Sequence, residues 1–466
     1  MNSKEIVNRL RDNFNKGETL CYEKRKEQLK QLKKLLEDNE KDFVQALWKD
    51  LHRSEQEVLL YETQFLIGEI DQTLHELRSW MSSTKVNKNI LQAVDGAYTK
   101  KEPLGVVLII GAWNFPVQLL LGPMIGALAA GNCVVLKPSE LSVHTSELIS
   151  KLIPKYMDKD VVSIVTGGPQ ETTELLKNQF DYIFFTGSYT VGKLIYKAAA
   201  ENLTPVTLEL GGKSPVIVDE DVDIDIAARR IIWGKLTNCG QICVAPDYIL
   251  MVNKNKERFI QVLKDSIKEF YGDKIEESPD YCRIINQRHF DRIKRLIDNT
   301  NGDVVIGGSC DRDNLFIPPT VIDNVKEDDS VMSEELFAPV LPIISCESIS
   351  KAIAFVKKNP KPLSLFLFSN SNDNVKKVLD NTSSGSFLVN DLLLNMSCES
   401  LPFGGVGASG FGRYHGKFSF DTFSHEKAVL HRTLWFENFL FMRYPPFNAT
   451  KIAWAKRVTK KIKIPF

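Results

Sequence analysis

Cys243, in this sequence of 466 residues, is of a type that could act as a nucleophile. It lies in residues 238–246, Asn-Cys-Gly-Gln-Ile-Cys-Val-Ala-Pro. Most cysteines pack as small hydrophobic side chains, so packing is the default interpretation. Cys239 lies on the same segment and could indicate a metal site, but no second Cys/His pair with ligand spacing occurs. Zinc is therefore not predicted.

A carboxylate and an amide also stand at the ends of apolar segments. Glu209, in Thr-Leu-Glu-Leu-Gly-Gly of residues 207–212, has leucines and glycines rather than charges as neighbours. A surface carboxylate at a strand end is one interpretation, yet these neighbours predict partial desolvation and a raised pKa. Asn114 follows an apolar segment in residues 111–116, Gly-Ala-Trp-Asn-Phe-Pro. An ordinary turn asparagine explains it equally well.

A glycine-rich turn occupies residues 184–193, Phe-Phe-Thr-Gly-Ser-Tyr-Thr-Val-Gly-Lys. It lies between an apolar strand and a helix-compatible segment. Glycines there let the backbone approach a ligand, and the helix N-terminus favours negative charge. Taken alone the signal is weak, because a turn before a helix is the commoner explanation.

Two other glycine motifs fail. Residues 405–410 form the literal pattern G-x-G-x-x-G, but no convincing helix follows them, so they are not a dinucleotide fingerprint. Residues 212–214, Gly-Lys-Ser, would need a glycine where Thr207 stands, so they are not a P-loop.

The elements that must position these residues begin with amphipathic helices over residues 1 to about 85. Asp95-Gly96, between residues 90–94 and 97–101, is typical of a two-residue hairpin turn. We expect this polar hairpin to protrude and to contact another subunit. Four leucines at helical spacing support the helices: Leu29, Leu32, Leu35 and Leu36.

Short apolar runs then alternate with helix-compatible segments. The first set of runs is 106–110, 133–137, 161–165 and 182–185. The second set begins near residue 206 and comprises 206–210, 216–218, 248–252, 304–306 and 387–390. This alternation predicts an α/β fold of two doubly wound domains that meet near residue 208, with ligands at the carboxyl ends of the strands.

Composition excludes several classes of protein. Hydrophobic residues make up 43% and charged residues 25%, which is ordinary for a globular chain. Lys+Arg and Asp+Glu both number 59, so the basic excess of a nucleic-acid-binding protein is absent. The 8 cysteines are too sparse for a disulfide scaffold, and no apolar signal segment opens the chain. We therefore expect a cytoplasmic protein.

Residues 103–136 carry no charge and are long enough to span a bilayer. Pro116, Pro123 and several glycines would free backbone groups that hydrocarbon cannot satisfy. A buried β-turn-α-β unit is the better prediction.

Seven segments together resemble the aldehyde dehydrogenase superfamily, and in particular its class 3 or fatty aldehyde dehydrogenase branch. They occur in the family's order within residues 102–445. Residues 443–446, Arg-Tyr-Pro-Pro, also look like the class 3 tail. The segments are residues 102–116, 136–140, 184–193, 208–213, 240–246, 334–339 and 401–413.

The resemblance implies a thiol mechanism of aldehyde oxidation. Cys243 would be the nucleophile, because a thiolate attacks an aldehyde readily and its thioester product is open to hydrolysis. The Asn114 amide and the Cys243 backbone N–H would stabilise the oxyanion. Glu209 would activate the water that hydrolyses the thioester.

The resemblance also implies a site for NAD. A carboxylate that accepts the ribose hydroxyls repels the 2′-phosphate of NADP, so NAD is expected to be preferred and NADP tolerated. The implied cofactor residues are Lys137 and Glu140 at the adenosine ribose, Gly187, Ser188 and Gly192 at the pyrophosphate, and Glu335 at the nicotinamide ribose with Phe337 nearby.

The expected organisation has four parts and a homodimer as the working unit. The last part carries six basic residues and no acidic one, and it could contact an anionic membrane or the partner subunit. The parts are an NAD-binding domain of residues 1–85 and 104–208, a catalytic domain of residues 209–416, an oligomerisation element of residues 86–103 and 417–450, and a basic tail of residues 451–466.

Two alternatives and two departures from the family pattern stay open. A CoA-acylating relative would pass the acyl group to CoA, but Glu209 as water-activating base argues against it. A non-catalytic scaffold is disfavoured because Cys243, Glu209 and Asn114 are all retained. Ala338 replaces the family's usual glycine, and Asn395 stands where class 3 members commonly carry a histidine. The second departure leaves the substrate mouth undefined.

Overall fold

A computed structural model describes residues 2–88, 95–435 and 437–458 of the chain. The fold is α/β, with two mainly parallel sheets covered by helices and one small antiparallel sheet. The helices are α1 (Ser3–Asn15), α2 (Tyr22–Asp38), α3 (Glu40–Leu51), α4 (Glu55–Val58), α5 (Gln64–Trp80), α6 (Gln118–Ala130), α7 (Val143–Tyr156), α8 (Pro169–Leu176), α9 (Tyr189–Ala200), α10 (Ile224–Leu236), α11 (Lys256–Tyr271), α12 (Gln287–Asp298), α13 (Ile349–Lys358), α14 (Asn372–Asn381), α15 (Gly416–Thr422) and α16 (Ala449–Val458). The strands are β1 (Thr84–Lys85), β2 (Gly96–Pro103), β3 (Val106–Ile110), β4 (Cys133–Lys137), β5 (Val162–Ile164), β6 (Tyr182–Gly187), β7 (Val206–Leu210), β8 (Pro215–Val218), β9 (Tyr248–Met251), β10 (Asp303–Ile306), β11 (Thr320–Asp323), β12 (Val340–Ser345), β13 (Ser364–Phe368), β14 (Ser386–Val389), β15 (Gly410–Phe411) and β16 (Ser424–His431).

The amphipathic helices predicted for the N-terminal region are confirmed. Leu29, Leu32, Leu35 and Leu36 of α2 are all fully buried. The uncharged stretch of residues 103–136 is likewise a buried unit, since every residue of β3, α6 and β4 is buried. Among the described residues no helix combines the length and apolar character needed to cross a bilayer.

The first sheet is six-stranded, in the order β15-β7-β6-β3-β4-β5. The order in which the chain adds strands reverses between β3 and β6. After β3, the chain adds β4 and β5 on one side of it, and then β6 and β7 on the other. Crevices of this kind, outside the carboxyl ends of parallel strands at a switch point, bind ligands in doubly wound sheets.

Two segments belong to a different sheet from the one predicted. β7 was expected to open the second set of strands, but it pairs in parallel with β6 in the first sheet. β15, expected in the second domain, pairs antiparallel with β7 in the same first sheet. The reason is that α9 is a crossover helix that returns the chain beside β6, and only after Leu210 does the backbone leave the sheet.

The second sheet is seven-stranded, in the order β10-β11-β12-β9-β8-β13-β14, and all of its pairs are parallel except β10 with β11. Three of its strands, β11, β12 and β13, were not predicted. Pro342 interrupts the apolar run of β12, and β11 has only two apolar residues between Thr320 and Asp323, whereas the apolar run of β13 was missed.

The small sheet has the order β1-β2-β16. Thr99 pairs with Thr84 on one side and with Ala428 on the other, and Tyr98 is paired in the same way with Lys85 and Val429. Both edges of β2 are therefore occupied at Tyr98 and Thr99. The first arm of the hairpin predicted at Asp95-Gly96, residues 90–94, lies outside the described residues, as do residues 459–466 of the expected basic tail.

Candidate active site

Asn114 lies in the loop between β3 and the N-terminus of α6, and its side chain is buried. Its amide Nδ2 donates a hydrogen bond of 3.0 Å to the carbonyl of Gln241. Its own carbonyl accepts hydrogen bonds from Asn238 Nδ2, at 3.0 Å, and from Arg53 Nη2. Asn114 is thereby tied to the loop that carries Cys243.

The backbone before Cys243 is held in a left-handed turn. Asn238, Cys239 and Gly240 have φ values of 49°, 54° and 71°. A Cβ on Gly240 would lie 2.3 Å from the carbonyl oxygen of Ala338, so only glycine fits there. Non-glycine residues at positive φ cost about 1–3 kcal/mol each, and they persist when surrounding contacts over-determine the conformation.

Gln241 supplies those contacts and is fully buried. Its Nε2 donates to the carbonyls of Asn238, at 3.1 Å, and Arg283, at 3.0 Å. Its Oε1 accepts the backbone N–H of Ile285 at 3.1 Å. The loop therefore presents Cys243, a half-buried residue, from a rigid base.

The thiol of Cys243 is electrostatically disfavoured as a thiolate. Its pKa is raised to about 12, chiefly by burial and also by the negative charges of Glu335 and Glu209, while the backbone N–H groups of Cys243 and Val244 oppose the rise. Both carboxyl groups are thus close enough for their charges to act on the sulfur.

Glu209 lies one residue before the end of β7 and is buried. Neither of its carboxyl oxygens has a hydrogen-bond partner in the part of the chain that the structure describes. Desolvation raises its pKa well above the ordinary value, in the direction that its apolar neighbours predict. Gly410 of β15 pairs with it, and a Cβ on Gly410 would lie 1.8 Å from the carbonyl of Leu208.

Glu335 faces the turn that follows β7. A Cβ on Gly211 would lie 2.2 Å from Glu335 Oε2, so a side chain at this position would displace the Glu335 carboxyl group. Burial, with the charge of Asp247, raises the pKa of Glu335 to about 8 despite the opposing N–H of Gly212. Arg292 donates to the Glu335 carbonyl at 3.0 Å and fixes its backbone.

Phe337 is also held in a strained conformation, with φ of 52°. Its ring packs edge-on against Trp113, with ring centroids 5.4 Å apart. Trp113 immediately precedes Asn114, so this contact joins the Glu335 segment to the Asn114 loop.

The expected nucleotide residues lie at the carboxyl ends of neighbouring strands. Lys137 ends β4, is buried, and its Nζ donates to Glu140 Oε2 at 3.0 Å. Gly187 ends β6, and exposed Ser188 is the N-cap of α9, its Oγ accepting the N–H of Val191 at 3.4 Å. Gly192 is buried against β7, where an added Cβ would lie 2.8 Å from Leu210 Cδ2.

These positions fit a dinucleotide. The N-terminus of a helix favours a pyrophosphate. The N-terminus of α9, which Ser188 caps, lies beside the switch point of the sheet. A lysine–carboxylate pair lies one strand further along, and half-buried Glu335 reaches the end of β7. Among the described residues no group of three or more His, Cys, Asp or Glu side chains could hold a metal ion.

Several residues of the site carried no local signal in the sequence. Charged side chains normally face solvent, yet Arg53 and Glu62 are fully buried behind Asn114. Lys213 pairs with Asp247, whose other oxygen accepts the N–H of Leu336 at 2.9 Å. Only the fold brings these partners together, because they are distant along the chain.

The two departures occupy different environments. Ala338 is fully buried against Gly240, where its methyl group is accommodated. Asn395 is half-buried, and its Nδ2 donates to Ser386 Oγ at 2.8 Å. It therefore anchors the short turn Leu394–Ser397 to the end of the second sheet.

Comparisons with known proteins agree with this arrangement. A family model described as the aldehyde dehydrogenase family matches residues 2–429. The chain is 48% identical over 450 residues to aldehyde dehydrogenase family 3 member A2 of Rattus norvegicus, covering 97% of this chain and 93% of the relative. It is 48% identical over 448 residues to family 3 member B1 of Homo sapiens, covering 96% and 95%.

Solved structures share the fold. The substrate-bound state of AldH from Staphylococcus aureus superposes with a TM-score of 0.95 at 43% identity, covering 98% of this chain and 99% of that one. Glyceraldehyde-3-phosphate dehydrogenase GapN from Methanocaldococcus jannaschii, complexed with NADP, has a TM-score of 0.82 at 24% identity, covering 92% and 94%. The second likeness bears on the fold alone.

Proposed function

Because the chain belongs to the aldehyde dehydrogenase family and is an NAD(P)-dependent oxidoreductase acting on aldehydes, we propose that it works through Cys243, with Glu209 as general base. The products are carboxylic acids. One observation carries the proposal. Cys243, Glu209 and Asn114 are far apart in the sequence, yet the Asn114 amide binds the backbone two residues before Cys243, and the Glu209 charge acts on the Cys243 sulfur.

The first step is attack of Cys243 Sγ on the aldehyde carbon, which gives a thiohemiacetal. Because its pKa is about 12, the thiol is protonated at neutral pH and must lose its proton to a base. Glu209 has a raised pKa and no hydrogen-bond partner among the described residues, so its carboxylate can accept that proton.

The oxyanion that forms is stabilised by two donors. An amide nitrogen carries two hydrogens, and Asn114 Nδ2 uses one of them toward Gln241. The other is proposed to meet the oxyanion together with the backbone N–H of Cys243. Loss of one such donor typically costs about 3–4 kcal/mol of transition-state stabilisation.

The cofactor supplies the hydride acceptor when bound. Lys137, Glu140, Gly187, Ser188, Gly192, Glu335 and Phe337 are the residues proposed to hold it. Once Glu209 has passed the thiol proton to solvent, it removes a proton from the water that hydrolyses the thioester left on Cys243, and the acid and the free thiol are released.

We propose that NAD is preferred and NADP tolerated. Glu140 is half-exposed and bonded to buried Lys137, so a carboxylate stands where the ribose hydroxyls are proposed to bind. A 2′-phosphate there meets like charge, which Lys137 offsets in part.

The proposed substrates are medium- and long-chain aliphatic or aromatic aldehydes. Similarity to family 3 members over nearly the whole chain supports this class. Asn395, which lies in the turn beside the second sheet, distinguishes this chain from the class 3 pattern and bears on the substrate mouth.

The proposed assembly is a homodimer. Its support is a set of exposed apolar side chains on α9, where Tyr189, Leu194 and Tyr196 are each more than half exposed. β16 is also an edge strand of the small sheet, and edge strands are available for pairing with another chain.

We also propose a cytoplasmic location with peripheral contact to anionic membranes through residues 451–466. Lys451, Lys456 and Arg457 lie on α16. Each basic residue near an anionic surface contributes about 1 kcal/mol of attraction.

The deciding experiment is initial-rate NADH formation with saturated aldehydes of increasing chain length and with benzaldehyde. We expect kcat/KM to rise with chain length, NAD to be used in preference to NADP, and Cys243→Ala to be inactive. A Cys243→Ala enzyme that keeps wild-type turnover would exclude the thiol mechanism. Turnover only after addition of CoA would favour the acylating alternative instead.

A further inference from the structure

A buried ion pair lies directly behind Asn114. Arg53 Nη1 is 2.6 Å from Glu62 Oε1, and both side chains are fully shielded from solvent. Arg53 follows α3, whereas Glu62 lies in a π-helical turn, Leu59–Thr63, that joins α4 to α5. The catalytic steps proposed above use neither residue.

Arg53 of this pair contacts the start of the loop that carries Asn114. Arg53 Nη2 donates to the carbonyl of Asn114, and the guanidinium carbon lies 4.4 Å from the centroid of the Phe115 ring. Planar guanidinium groups suit such a combination of forked hydrogen bonding and ring stacking.

Glu62 binds the end of the same loop. Its Oε2 accepts the backbone N–H groups of Val117, at 3.0 Å, and Gln118, at 2.7 Å. These are orphan donors at the start of α6, whose own N-cap side chain makes no capping hydrogen bond. The two residues together therefore fix backbone groups from Asn114 to Gln118.

The element that carries Glu62 is itself unusual. Single π-helical turns inserted into α-helices are rare and occur frequently at functional sites. The turn Leu59–Thr63 also carries Tyr61, whose ring meets Phe115 edge-on at 6.2 Å between centroids. Both contacts from this turn are made to the Asn114 loop.

We propose that Arg53 and Glu62 are positioning residues for aldehyde oxidation, which hold the Asn114 amide where the oxyanion forms. The inference rests on the proposed role of Asn114. A buried ion pair is a poor source of stability compared with apolar packing, so its value here is geometric. Asn114 Nδ2 reaches Gln241 and the Cys243 loop only while its backbone stays in place.

The test is a double-mutant cycle of Arg53→Met and Asn114→Ala, read as kcat and as the dissociation constant for NAD. We expect Asn114→Ala to lower kcat about 10²–10³-fold. Arg53→Met is expected to lower kcat by roughly 10²-fold, the effect of a misplaced catalytic group. If Arg53 acts only through the Asn114 side chain, the double variant will be no slower than Asn114→Ala alone.

Three further variants keep the test decisive. Arg25 is a matched control, a buried arginine that bonds the carbonyls of Thr19 and Ala129. Arg25→Met is expected to lower the melting temperature while kcat stays unchanged. If Arg53→Met does not fold, Arg53→Lys and Glu62→Gln replace it, with kcat expected between wild type and Asn114→Ala and NAD affinity unchanged.

The outcomes separate this inference from the proposed function. Multiplying losses in the double variant, or full kcat in every folded Arg53 and Glu62 variant, would overturn the positioning role and leave the mechanism standing. A wild-type kcat for Asn114→Ala would remove the oxyanion role of Asn114 itself, and the inference with it.

Discussion

Three acidic groups at the site have pKa values that are raised by the same cause. Burial is the largest contribution in each case, raising the pKa of Cys243 to about 12, that of Glu335 to about 8 and that of Glu209 well above its ordinary value. They also share a space, so each negative charge makes the next harder to form. The site is therefore poised to move one proton between groups rather than to hold several charges.

This environment predicts the pH dependence of thiol reactivity. A raised pKa means that the Cys243 thiolate is lost as pH falls, so between pH 7 and 10 its population changes by about tenfold per pH unit. The rate at which iodoacetamide inactivates the free enzyme should rise by the same factor. Residual NADH formation measures that inactivation. Cys243→Ala identifies background labelling at exposed Cys21 and Cys398. An inactivation rate that levels off below pH 8 would contradict this environment.

At the scale of elements, the carboxyl ends of four neighbouring parallel strands lie along the same side of the first sheet. Asn114 follows β3, Lys137 ends β4, Gly187 ends β6 and Glu209 lies near the end of β7. Strand direction alone explains why residues so far apart in the chain meet there. α9 then rises from this edge, packed closely on β7 because Gly192 has no side chain.

Ser188 separates helix capping from cofactor binding. Loss of an N-cap hydroxyl typically costs about 1 kcal/mol of stability, so Ser188→Ala should lower the melting temperature slightly. Because we also propose a pyrophosphate contact, its KM for NAD should rise while kcat stays near wild type. Ser348, the N-cap of α13, accepts the N–H of Lys351 at 3.3 Å and is the matched control.

Ser348→Ala should cost similar stability and leave the KM for NAD unchanged. Initial rates at varied NAD, together with thermal unfolding of both variants, provide the measurement. Equal KM values for the two variants would reduce Ser188 to a structural cap.

At the scale of the whole molecule, two doubly wound sheets face the reaction from different sides. The first contributes the Glu209 edge and the glycine turn before α9. The Cys243 loop leads into β9 of the second sheet, and Glu335 precedes β12 of that sheet. The small sheet and α16 lie outside both, with exposed strand and helix surfaces that suit contacts with other molecules.

Removing residues 451–466 tests those contacts. The full chain should bind vesicles that contain phosphatidylserine, and this binding should weaken as salt is added. The full chain should also scatter light as a dimer at micromolar concentration. The truncated chain should remain a dimer and oxidise a short aldehyde at the same rate, yet stay in the supernatant. Vesicles of neutral lipid are the control. Equal sedimentation of both proteins with anionic vesicles would rule out a membrane role for the tail.

Much of the site was predictable from local sequence. Glu209 was expected to be desolvated because its neighbours are leucines and glycines, and it is buried with a raised pKa. The predicted strands 106–110 and 133–137 coincide with β3 and β4, because unbroken runs of buried, largely β-branched residues are an unambiguous local signal. Family membership was predictable as well, since the ordered motifs are contiguous stretches of chain.

Only the tertiary structure decided which distant groups touch. β7 reads like the first strand of a new domain, but hydrogen bonding to β6 assigns it to the first sheet. Nothing local in the sequence marks Arg53 or Glu62, yet the fold buries both against the loop that carries Asn114. Hydrophobic periodicity is local and survives in the sequence, whereas sheet membership and buried ion pairs depend on contacts between segments that no local pattern encodes.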